Sequence, residues 1–342
     1  MSTVYVGLDL GSSTFQQVAI KTDGSIKVNR SLTTSEANLR AAFADQHGEI
    51  QVHLEAGELA PWAAAVIGPL VTRVVCSHPK DNAWIAKDAD KSDRVDAFKL
   101  AELLRLNRFK EVHYAPDQAR RNFKQLVQHY DELTAQQARL KVKIKARLRM
   151  QGVMVTGERL FSSKGRQEVL TKVAAGDLRI AIKQLYEVLD QSVAAQEQAR
   201  LLMLRAARAF REIKLLRTVP GVGPIGACRF SAYIHTPNRF SSKRKLWKYC
   251  RLSVSHRSSN GKPLRRPRLD RSGCGRLKDV SRKAFEVAIR SRQDNGFKRT
   301  YQRMLETTHD ATHARLTVQR KVVSTLRAMW LNQTPYCDEL MP

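Results

Sequence analysis

The sequence predicts a mixed α/β domain over about the first 112 residues and a mainly α-helical chain after it. In the first part, short apolar runs bounded by turn residues alternate with amphipathic segments; from about residue 117, apolar residues recur at steps of three and four. The balance of basic and acidic residues also changes near this boundary. Residues 1–110 carry 13 basic and 13 acidic side chains, so the net charge of +28 lies entirely in the rest of the 342 residues. A chain of this length is expected to form two or three domains, because single cores rarely exceed about 250–300 residues.

The predicted α/β domain opens with a meander of three strands and continues with strands and helices in alternation. The meander strands are expected at 4–10, 15–20 and 25–30, separated by turns at 11–13 and 23–24. The elements that follow are a helix at 35–44 capped by Ser35, a strand at 51–54 that ends in Glu55, a helix at 61–70 and a strand at 71–76. This order predicts a mixed sheet covered by helices.

A helical coiled-coil arm is predicted over residues 113–212. Apolar side chains follow the seam spacing of a coiled coil in two stretches, which a polar turn region at 152–165 separates. The first stretch comprises Phe123, Leu126, Tyr130, Leu133, Leu140, Ile144 and Leu148, with Gln137 as its polar position. The second, in a helix expected over 178–216, comprises Ile182, Leu185, Leu189 and Val193. The pattern fits both an antiparallel hairpin within the chain and pairing with a second subunit.

Residues 213–342 are predicted to form a helical domain that binds nucleic acid. The Pro220-Gly221-Val222-Gly223 turn has the form of a helix-hairpin-helix, whose glycines let backbone N–H groups approach a phosphate, although a plain helix connector has the same composition. Residues 243–278 carry 13 Lys or Arg and one acid, with Trp247 and Tyr249 interleaved, which suits phosphate contacts and base stacking. The candidate contacts are Gly221, Gly223, Lys243, Arg244, Lys245, Arg257, Lys262, Arg265, Arg266 and Arg268.

The composition restricts the functional class. A net charge of +28 opposes compaction and indicates a polyanionic partner, with nucleic acid favoured over an acidic membrane. No apolar run reaches the ~18–20 residues of a membrane span, and the first residues lack the features of an export signal. The five cysteines are scattered without a CxxC pair, which excludes a zinc ribbon and favours reduced thiols. We therefore expect a cytoplasmic protein.

Four carboxylates are the candidate catalytic and metal-binding groups: Asp9, Glu55, Asp93 and Asp96. Asp9 and Glu55 end predicted strands, where a charge is costly unless it is paired or metal-bound. Asp93 and Asp96 are three residues apart at a predicted helix start, and so share one face. Oxygen ligands of this kind hold Mg²⁺, with Mn²⁺ as the alternative, and two such ions can activate a nucleophile and stabilise a leaving oxygen in phosphodiester chemistry. Helix capping by Asp93 and Asp96, and a turn-starting role for Asp9, are the structural alternatives.

A pair of serines in the basic stretch is the second candidate site. Ser258 and Ser259 precede Asn260-Gly261, and the nearby cations are Arg257, Lys262, Arg265 and Arg266. These neighbours suit a serine that attacks a phosphodiester, because guanidinium groups can hold the phosphate and its developing charge. Ser-Asn-Gly is also ordinary turn composition, so by chemistry alone a polar surface turn is the simpler interpretation.

These motifs, in this order, resemble those of the DEDD-type transposases of the insertion-sequence-110 family, relatives of the Piv/MooV DNA invertases. The matching segments are Gly7-Leu8-Asp9, Glu55-Ala56-Gly57, residues 91–97, residues 216–227 and Ser259-Asn260-Gly261-Lys262-Pro263. The resemblance implies a RuvC/ribonuclease H-like domain at 1–112, a coiled-coil arm at 113–212 and a transposase domain at 213–342. It also implies that Asp9, Glu55, Asp93 and Asp96 form an acidic site, and that a serine is the nucleophile. Ser259 matches that serine best, with Ser258 as the alternative.

The same resemblance implies the partners. Family members are similar in using a structured noncoding (bridge) RNA that pairs with donor and target DNA, so that base pairing supplies much of the specificity, as in other RNA-guided systems. We expect double-stranded donor and target DNA, a guide RNA, and a homodimer that becomes a tetramer on DNA. The acidic site and the serine would meet within one subunit or between two.

Three other functions are alternatives to this expectation. A RuvC-like structure-selective endonuclease needs the acidic site but no serine. Residues 7–13 also resemble the first phosphate loop of actin-like sugar kinases, but the second Asp-x-Gly loop and the Gly-rich adenosine motif are missing from the sequence. An architectural nucleic-acid-binding protein would explain the charge but not four acids at strand ends and a helix start. We therefore expect an RNA-guided transposase and site-specific recombinase, with the endonuclease as the alternative.

Overall fold

The computed structural model describes residues 3–45, 48–79, 92–113, 117–255, 258–260, 262–263 and 267–339. The chain divides into two compact units, Met1–Arg121 and Asn122–Pro342. The first unit is an α/β domain, and the second is mainly helical. The finer division into three domains at residues 112 and 212 stays a prediction.

A five-stranded sheet is the centre of the first unit. Its strands are β1 (Thr3–Leu10), β2 (Thr14–Ile20), β3 (Ile26–Thr33), β4 (Glu49–Glu55) and β5 (Arg73–Ser77), and the helices are α1 (Glu36–Ala44), α2 (Ala60–Ile67) and α3 (Asp93–Arg105). The strand order is β3-β2-β1-β4-β5, antiparallel from β3 to β1 and parallel from β1 to β5. Every strand and helix predicted here is present to within three residues, and Ser35 caps α1 by accepting a hydrogen bond from Asn38 N.

The two faces of this sheet are covered by different helices. Val6 and Leu8 of β1 are buried in a core with residues of α1 and α2. Because successive side chains of a strand point to opposite faces, Gly7 and Asp9 belong to the other face. That face is covered by α3, which supplies the buried Ala97.

The second unit consists of a long helical hairpin and a bundle of shorter helices. The helices are α4 (Gln118–Arg149), α5 (Ser163–Leu170), α6 (Asp177–Ala207), α7 (Glu212–Leu216), α8 (Pro224–Ile234), α9 (Lys243–Tyr249), α10 (Gly275–Arg290), α11 (Gly296–Thr308) and α12 (Ala311–Asn332). The helical stretch predicted over 178–216 consists of two helices, because α6 ends at Ala207 and the chain turns so that Phe210 packs on Phe123, with ring centroids 4.7 Å apart. Among the described residues, no helix is long and apolar enough to cross a membrane.

The helices α4 and α6 pack antiparallel, so the predicted seam of α4 finds its partner within the same chain. Gln137 Nε2 donates to Ser192 O at 2.9 Å, and Gln196 Nε2 donates to Thr134 Oγ1 at 2.7 Å. Towards the tip, the seam residues of both helices share one apolar core, which includes Ile144, Leu148, Ile182 and Leu189. The prediction that Val193 belongs to the seam was wrong: its side chain is 46 % exposed, because the buried stripe of α6 passes through Ser192 instead.

A buried ion network joins the base of α4 to the helical bundle. One carboxylate oxygen of Asp131 accepts from Arg229 Nε at 2.8 Å, and the other accepts from Tyr233 OH at 3.1 Å and lies 3.3 Å from Arg276 Nε. Asp131 is 1 % exposed. A buried charge is tolerated only when its lone pairs and protons are satisfied in this way, so the network fixes one orientation of α4 on the bundle.

Replacing Asp131 by alanine is expected to lower the free energy of unfolding by about 3–5 kcal/mol, because the buried Arg229 then keeps only its 3.3 Å ion pair with Asp279. Denaturation by urea measures this change. The matched control is the double variant Asp131→Leu/Arg229→Met, which removes both charges and keeps the volume, and which we expect to be more stable than the single variant. An Asp131→Ala protein as stable as the wild type would contradict the role given to this network.

Candidate functional site

Asp9 and Glu55 occupy the carboxyl ends of two neighbouring parallel strands. The register pairs Leu8 of β1 with Leu54 of β4, so Asp9 and Glu55 are the next residues on adjacent strands. Neighbouring strands lie about 5 Å apart, and both residues are half-buried. The sheet therefore brings the two carboxylates to one edge, as the strand-end prediction required.

Helix α3 brings Asp93 and Asp96 over the same edge. It approaches β1 at Gly7, where a side-chain Cβ would stand 2.7 Å from Ala101 N and even closer to Ala97 O. Only a residue without a side chain allows two backbones to come this close. The first turn of α3 therefore lies above the end of β1.

The N-cap of α3 is Ser92, whose hydroxyl oxygen accepts from Val95 N at 3.3 Å. The alternative in which Asp93 and Asp96 serve as caps is therefore wrong. Both acids lie in the first turn, where the helix dipole favours negative charge. The side chains of Asp93 and Asp96 therefore do not cap the helix.

The other three carboxylates act electrostatically on Asp9. Burial, and after it the charges of Asp93, Asp96 and Glu55, raise the pKa of Asp9 from 3.8 to about 6. Nearby like charges disfavour ionisation, so the part of this shift that burial does not cause comes from three neighbouring acids. The structure brings together all four residues that the sequence singled out.

This cluster has the donor chemistry of a divalent-cation site, but its side chains are not closed around one. The Oδ1 atom of Asp96 is buried without a hydrogen-bond partner. A buried oxygen of this kind costs free energy unless it binds an ion or accepts a hydrogen bond. Carboxylate oxygens are the ligands that Mg²⁺ prefers. Within the part of the chain that the structure describes, no three acidic, histidine or cysteine side chains stand ready to hold a metal ion. The residues fit such an ion, and binding one requires their side chains to draw together.

His53 connects the strand that ends in Glu55 to helix α3. One ring nitrogen, Nδ1, lies 2.8 Å from Leu100 O, and the other, Nε2, lies 2.7 Å from Ser77 Oγ on β5. Burial lowers the pKa of His53 to about 4, so the ring is neutral near pH 7. The sequence did not single out this residue; its only signal is a histidine at an inward position of an apolar strand.

Ser258 and Ser259 lie in a short β-ribbon. Its strands are β6 (Val254–Ser255), β7 (Ser258–Ser259), β8 (Lys262–Pro263) and β9 (Arg268–Leu269), in which β6 pairs with β9 and β7 with β8. Ser259 pairs with Lys262, and Asn260 has a φ of 51°, the left-handed conformation typical of tight hairpin turns. For Ser258, Ser259 and Lys262 only the backbone is described, and Arg257, Arg265 and Arg266 lie outside the described residues.

The glycines of the Pro220–Gly223 turn have different surroundings. Gly221 has a φ of 79°, and a Cβ there would stand 2.7 Å from Ala284 Cα, so this glycine is required by close packing against α10. Gly223 is exposed at the start of α8, and a Cβ there would meet nothing within 4 Å. Of the two glycines that are predicted to contact phosphate, Gly223 is therefore the one whose backbone is accessible.

The remaining predicted contacts are exposed, whereas the aromatic residues between them are not free to stack. Lys243, Arg244 and Lys245 are exposed in the first turn of α9, and Arg268 is exposed in β9. Base stacking on Trp247 and Tyr249 is not supported. Trp247 Nε1 donates to Ser324 Oγ at 2.9 Å beneath the Arg320 guanidinium, and Tyr249 packs against Phe240 and Arg239. Both rings are occupied within the bundle.

A second basic surface lies on the arm. Six of the eleven residues from 139 to 149 are Lys or Arg, and Arg139, Lys143 and Arg147, four residues apart, are exposed on one face of α4. Lys141, on another face, pairs with Glu158 at 2.6 Å. The alternating cations in the sequence are the signal that could have identified this surface.

Comparison with known proteins identifies the family of the chain. Residues 6–151 match a DEDD-type IS110 family model described as a transposase, and residues 213–302 match the model of the transposase IS116/IS110/IS902 family. The chain thus carries the domains of a DNA transposase, an enzyme that cuts and joins DNA. The two matched ranges together make up more than half of the chain, and the chain belongs to the IS116/IS110/IS902 family of transposases. No curated protein matches it.

Replacing Gly7 by alanine is expected to abolish DNA strand cleavage, because a Cβ there forces α3 away from β1 and separates Asp93 and Asp96 from Asp9. The control is Gly57→Ala in the same unit, where a Cβ meets nothing within 4 Å and activity should be retained. Cleavage of a labelled DNA substrate measures both. Full activity of the Gly7→Ala protein would show that the close approach of α3 is not needed.

Proposed function

We propose that this transposase recombines the DNA of an insertion sequence through a metal-bound acidic tetrad and a serine nucleophile, guided by RNA. The tetrad is Asp9, Glu55, Asp93 and Asp96, and the nucleophile is Ser259. The observation that carries the proposal is the convergence of Asp9 and Glu55, at the ends of paired strands, with the first turn of α3, where the charges of Asp93, Asp96 and Glu55 add to burial in raising the pKa of Asp9. A five-stranded sheet of this order, with acids at the ends of β1 and β4, also supports a RuvC/ribonuclease H-like domain.

The tetrad provides charge and orientation. Asp9 and Glu55 are fixed by the register of two parallel strands, and Asp93 and Asp96 by the close contact of α3 with Gly7. A bound Mg²⁺ or Mn²⁺ would supply activation of a hydroxyl and stabilisation of a leaving oxygen. The buried, unpartnered Oδ1 of Asp96 supports its assignment as one of the ligands.

The serine step preserves the energy of the phosphodiester bond. Ser259 Oγ forms a bond to phosphorus, the bond from phosphorus to one deoxyribose oxygen breaks, and that oxygen takes up a proton while the serine proton passes to water. The hairpin backbone supports this role, because it places Ser259 immediately before a tight turn. The reverse attack by the hydroxyl of a second DNA end releases the serine and completes strand exchange. A free serine hydroxyl is a weak nucleophile, so Ser259 needs the acidic site on the same phosphate.

The charge of the chain supports several nucleic-acid partners. The net charge of +28 lies outside the first 110 residues, and the exposed cations of α4 and α9 belong to that part. We assign these surfaces to donor DNA, target DNA and a structured guide RNA. Sequencing of the nucleic acid that copurifies with the protein tests the last assignment: one discrete noncoding RNA encoded beside the gene supports it, and random cellular RNA contradicts it.

The proposed reaction requires more than one subunit. Strand exchange requires at least two cleaved duplexes to be held together, so we propose a homodimer that becomes a tetramer on DNA. The seam of α4 is satisfied within the chain, but α6 also exposes Ile180, Val188, Leu201 and Leu202, which leaves apolar surface for a second subunit. Light scattering that finds a monomer both free and bound to two DNA sites would contradict this assembly.

Asp9→Ala, and the double variant Asp93→Ala/Asp96→Ala, are expected to lose strand cleavage and to bind DNA with nearly wild-type affinity. The reason is that the net positive charge lies in the second unit while these acids lie in the first. Gel-shift and cleavage assays with Mg²⁺ and with excess EDTA measure the two properties. Asp23→Ala is the matched control, since Asp23 is an exposed acid whose carboxylate accepts hydrogen bonds from the nearby Ser25. Cleavage at the wild-type rate in EDTA would refute the metal assignment.

Ser259→Ala is expected to lose both the covalent protein–DNA adduct and recombination, and to keep binding to nucleic acid. The wild-type protein is incubated with end-labelled DNA and denatured, and the labelled peptide is identified by mass spectrometry. Ser258→Ala, one residue earlier on the same strand, is the matched control and should keep the adduct.

Two results would change this assignment. An adduct that persists in Ser259→Ala and disappears in Ser258→Ala identifies Ser258 as the nucleophile. DNA that is cut by the wild type without any adduct identifies a hydrolytic, RuvC-like endonuclease.

A further inference from the structure

A cleft of about 1150 Å³ lies between the β-ribbon and the start of α10. Its cations are Arg251, Arg268, Arg271 and Lys278, and its single acid is Asp270. We call this the basic cleft. Asp270 Oδ1 accepts from Ser272 N and from Ser272 Oγ at 2.8 and 2.7 Å, and these bonds lower the pKa of Asp270. Among the residues that the structure describes, none of the four cations has an ion-pair partner, so the basic cleft carries an uncompensated positive charge.

Arg251 is held in a fixed position at one end of the basic cleft. Its backbone has a φ of 57°, and its Nε donates to Gly273 O at 2.8 Å. Its Nη1 lies 3.1 Å from the point where a Cβ on Gly275 would be, so the guanidinium rests against the first residue of α10. The first turn of α10 contains no acid. A guanidinium fixed at the positive end of a helix is unfavourable unless an anion also binds there.

The basic cleft is close to the proposed nucleophile along the chain. Ser255 lines it, and Ser259 is four residues further on, a distance that extended backbone covers in at most about 14 Å. This equals the rise of about four base pairs of duplex DNA. A duplex whose phosphate reaches Ser259 therefore has neighbouring phosphates within reach of the four cations.

We propose that the basic cleft binds the phosphate backbone of duplex DNA beside the bond that Ser259 attacks, with Arg251 as its fixed contact. Charge complementarity identifies the occupant as a polyphosphate, and membership of a transposase family makes DNA the substrate. The position relative to the cleaved bond rests on the proposed function of Ser259. The binding itself does not depend on it. Arg251, Arg271 and Lys278 thereby join Arg268 as contact residues.

The test measures the affinity of the full-length protein for a fluorescein-labelled 30-base-pair DNA duplex over a series of salt concentrations in EDTA. Arg271→Ala and Lys278→Ala are each expected to weaken binding on the order of tenfold and to reduce the slope of log K against log salt by about 1, because each removes one phosphate contact. Arg251→Gln is measured with them, although it also removes the bond to Gly273 O. The control is Arg200→Ala, which removes an exposed arginine paired with Glu197 at 2.6 Å on the arm and should leave the slope unchanged.

Salt slopes of Arg271→Ala and Lys278→Ala equal to those of the wild type and of Arg200→Ala would overturn the proposal. A loss confined to a single-stranded RNA of the same length, with DNA binding intact, would also overturn it, since the occupant would then be RNA. Because uncut DNA is used in EDTA, failure of Ser259→Ala to abolish the adduct would refute the nucleophile and leave this measurement unaffected.

Discussion

The contact between Gly7 of β1 and the backbone of α3 is the constraint on which the acidic site depends. It has no energetic strength of its own, but it sets the distance between a strand that carries Asp9 and a helix that carries Asp93 and Asp96. The link from His53 to Leu100 O and Ser77 Oγ holds the same helix from the neighbouring strand. With α3 held so close, four carboxylates share one edge of the sheet, and their charges add to burial in raising the pKa of Asp9. The fold keeps these like charges together at a cost that a bound cation would offset.

The electrostatics of the second unit differ from those of the first. It carries the entire excess of positive charge, which opposes compaction, and it buries one ion network of its own around Asp131. That network satisfies both oxygens of Asp131 and joins α4 to the bundle. Exposed cations lie on α4, on α9 and in the basic cleft, where a polyanion can neutralise them. The acidic cluster and the excess positive charge therefore belong to separate units, so we expect variants to separate metal chemistry from nucleic-acid affinity.

Much of this organisation could be predicted from the sequence, for physical reasons. Strand and helix patterns in the first unit are local, so the five strands, the Ser35 cap and the strand-end acids were predicted correctly. Distances between elements, in contrast, depend on contacts between residues that are far apart in the sequence. The capping role of Ser92, the close approach at Gly7 and the fixed position of Arg251 depend on backbone conformations that residue types do not reveal. Val193, Trp247 and Tyr249 show the same limit, because helix phase and neighbouring side chains decide whether an apolar residue joins a seam or an aromatic ring stays free.

The most direct test of the acidic cluster compares the thermal unfolding of the wild-type protein with that of Asp9→Asn at pH 8, without and with Mg²⁺. Four carboxylates held at one edge repel each other, so without metal the midpoint of Asp9→Asn should be higher than that of the wild type. An ion that binds only the folded state stabilises it, so Mg²⁺ should raise the wild-type midpoint and have little effect on the variant. An Asp9→Asn protein that is less stable than the wild type without metal, or that responds to Mg²⁺ as strongly as the wild type, would contradict this account.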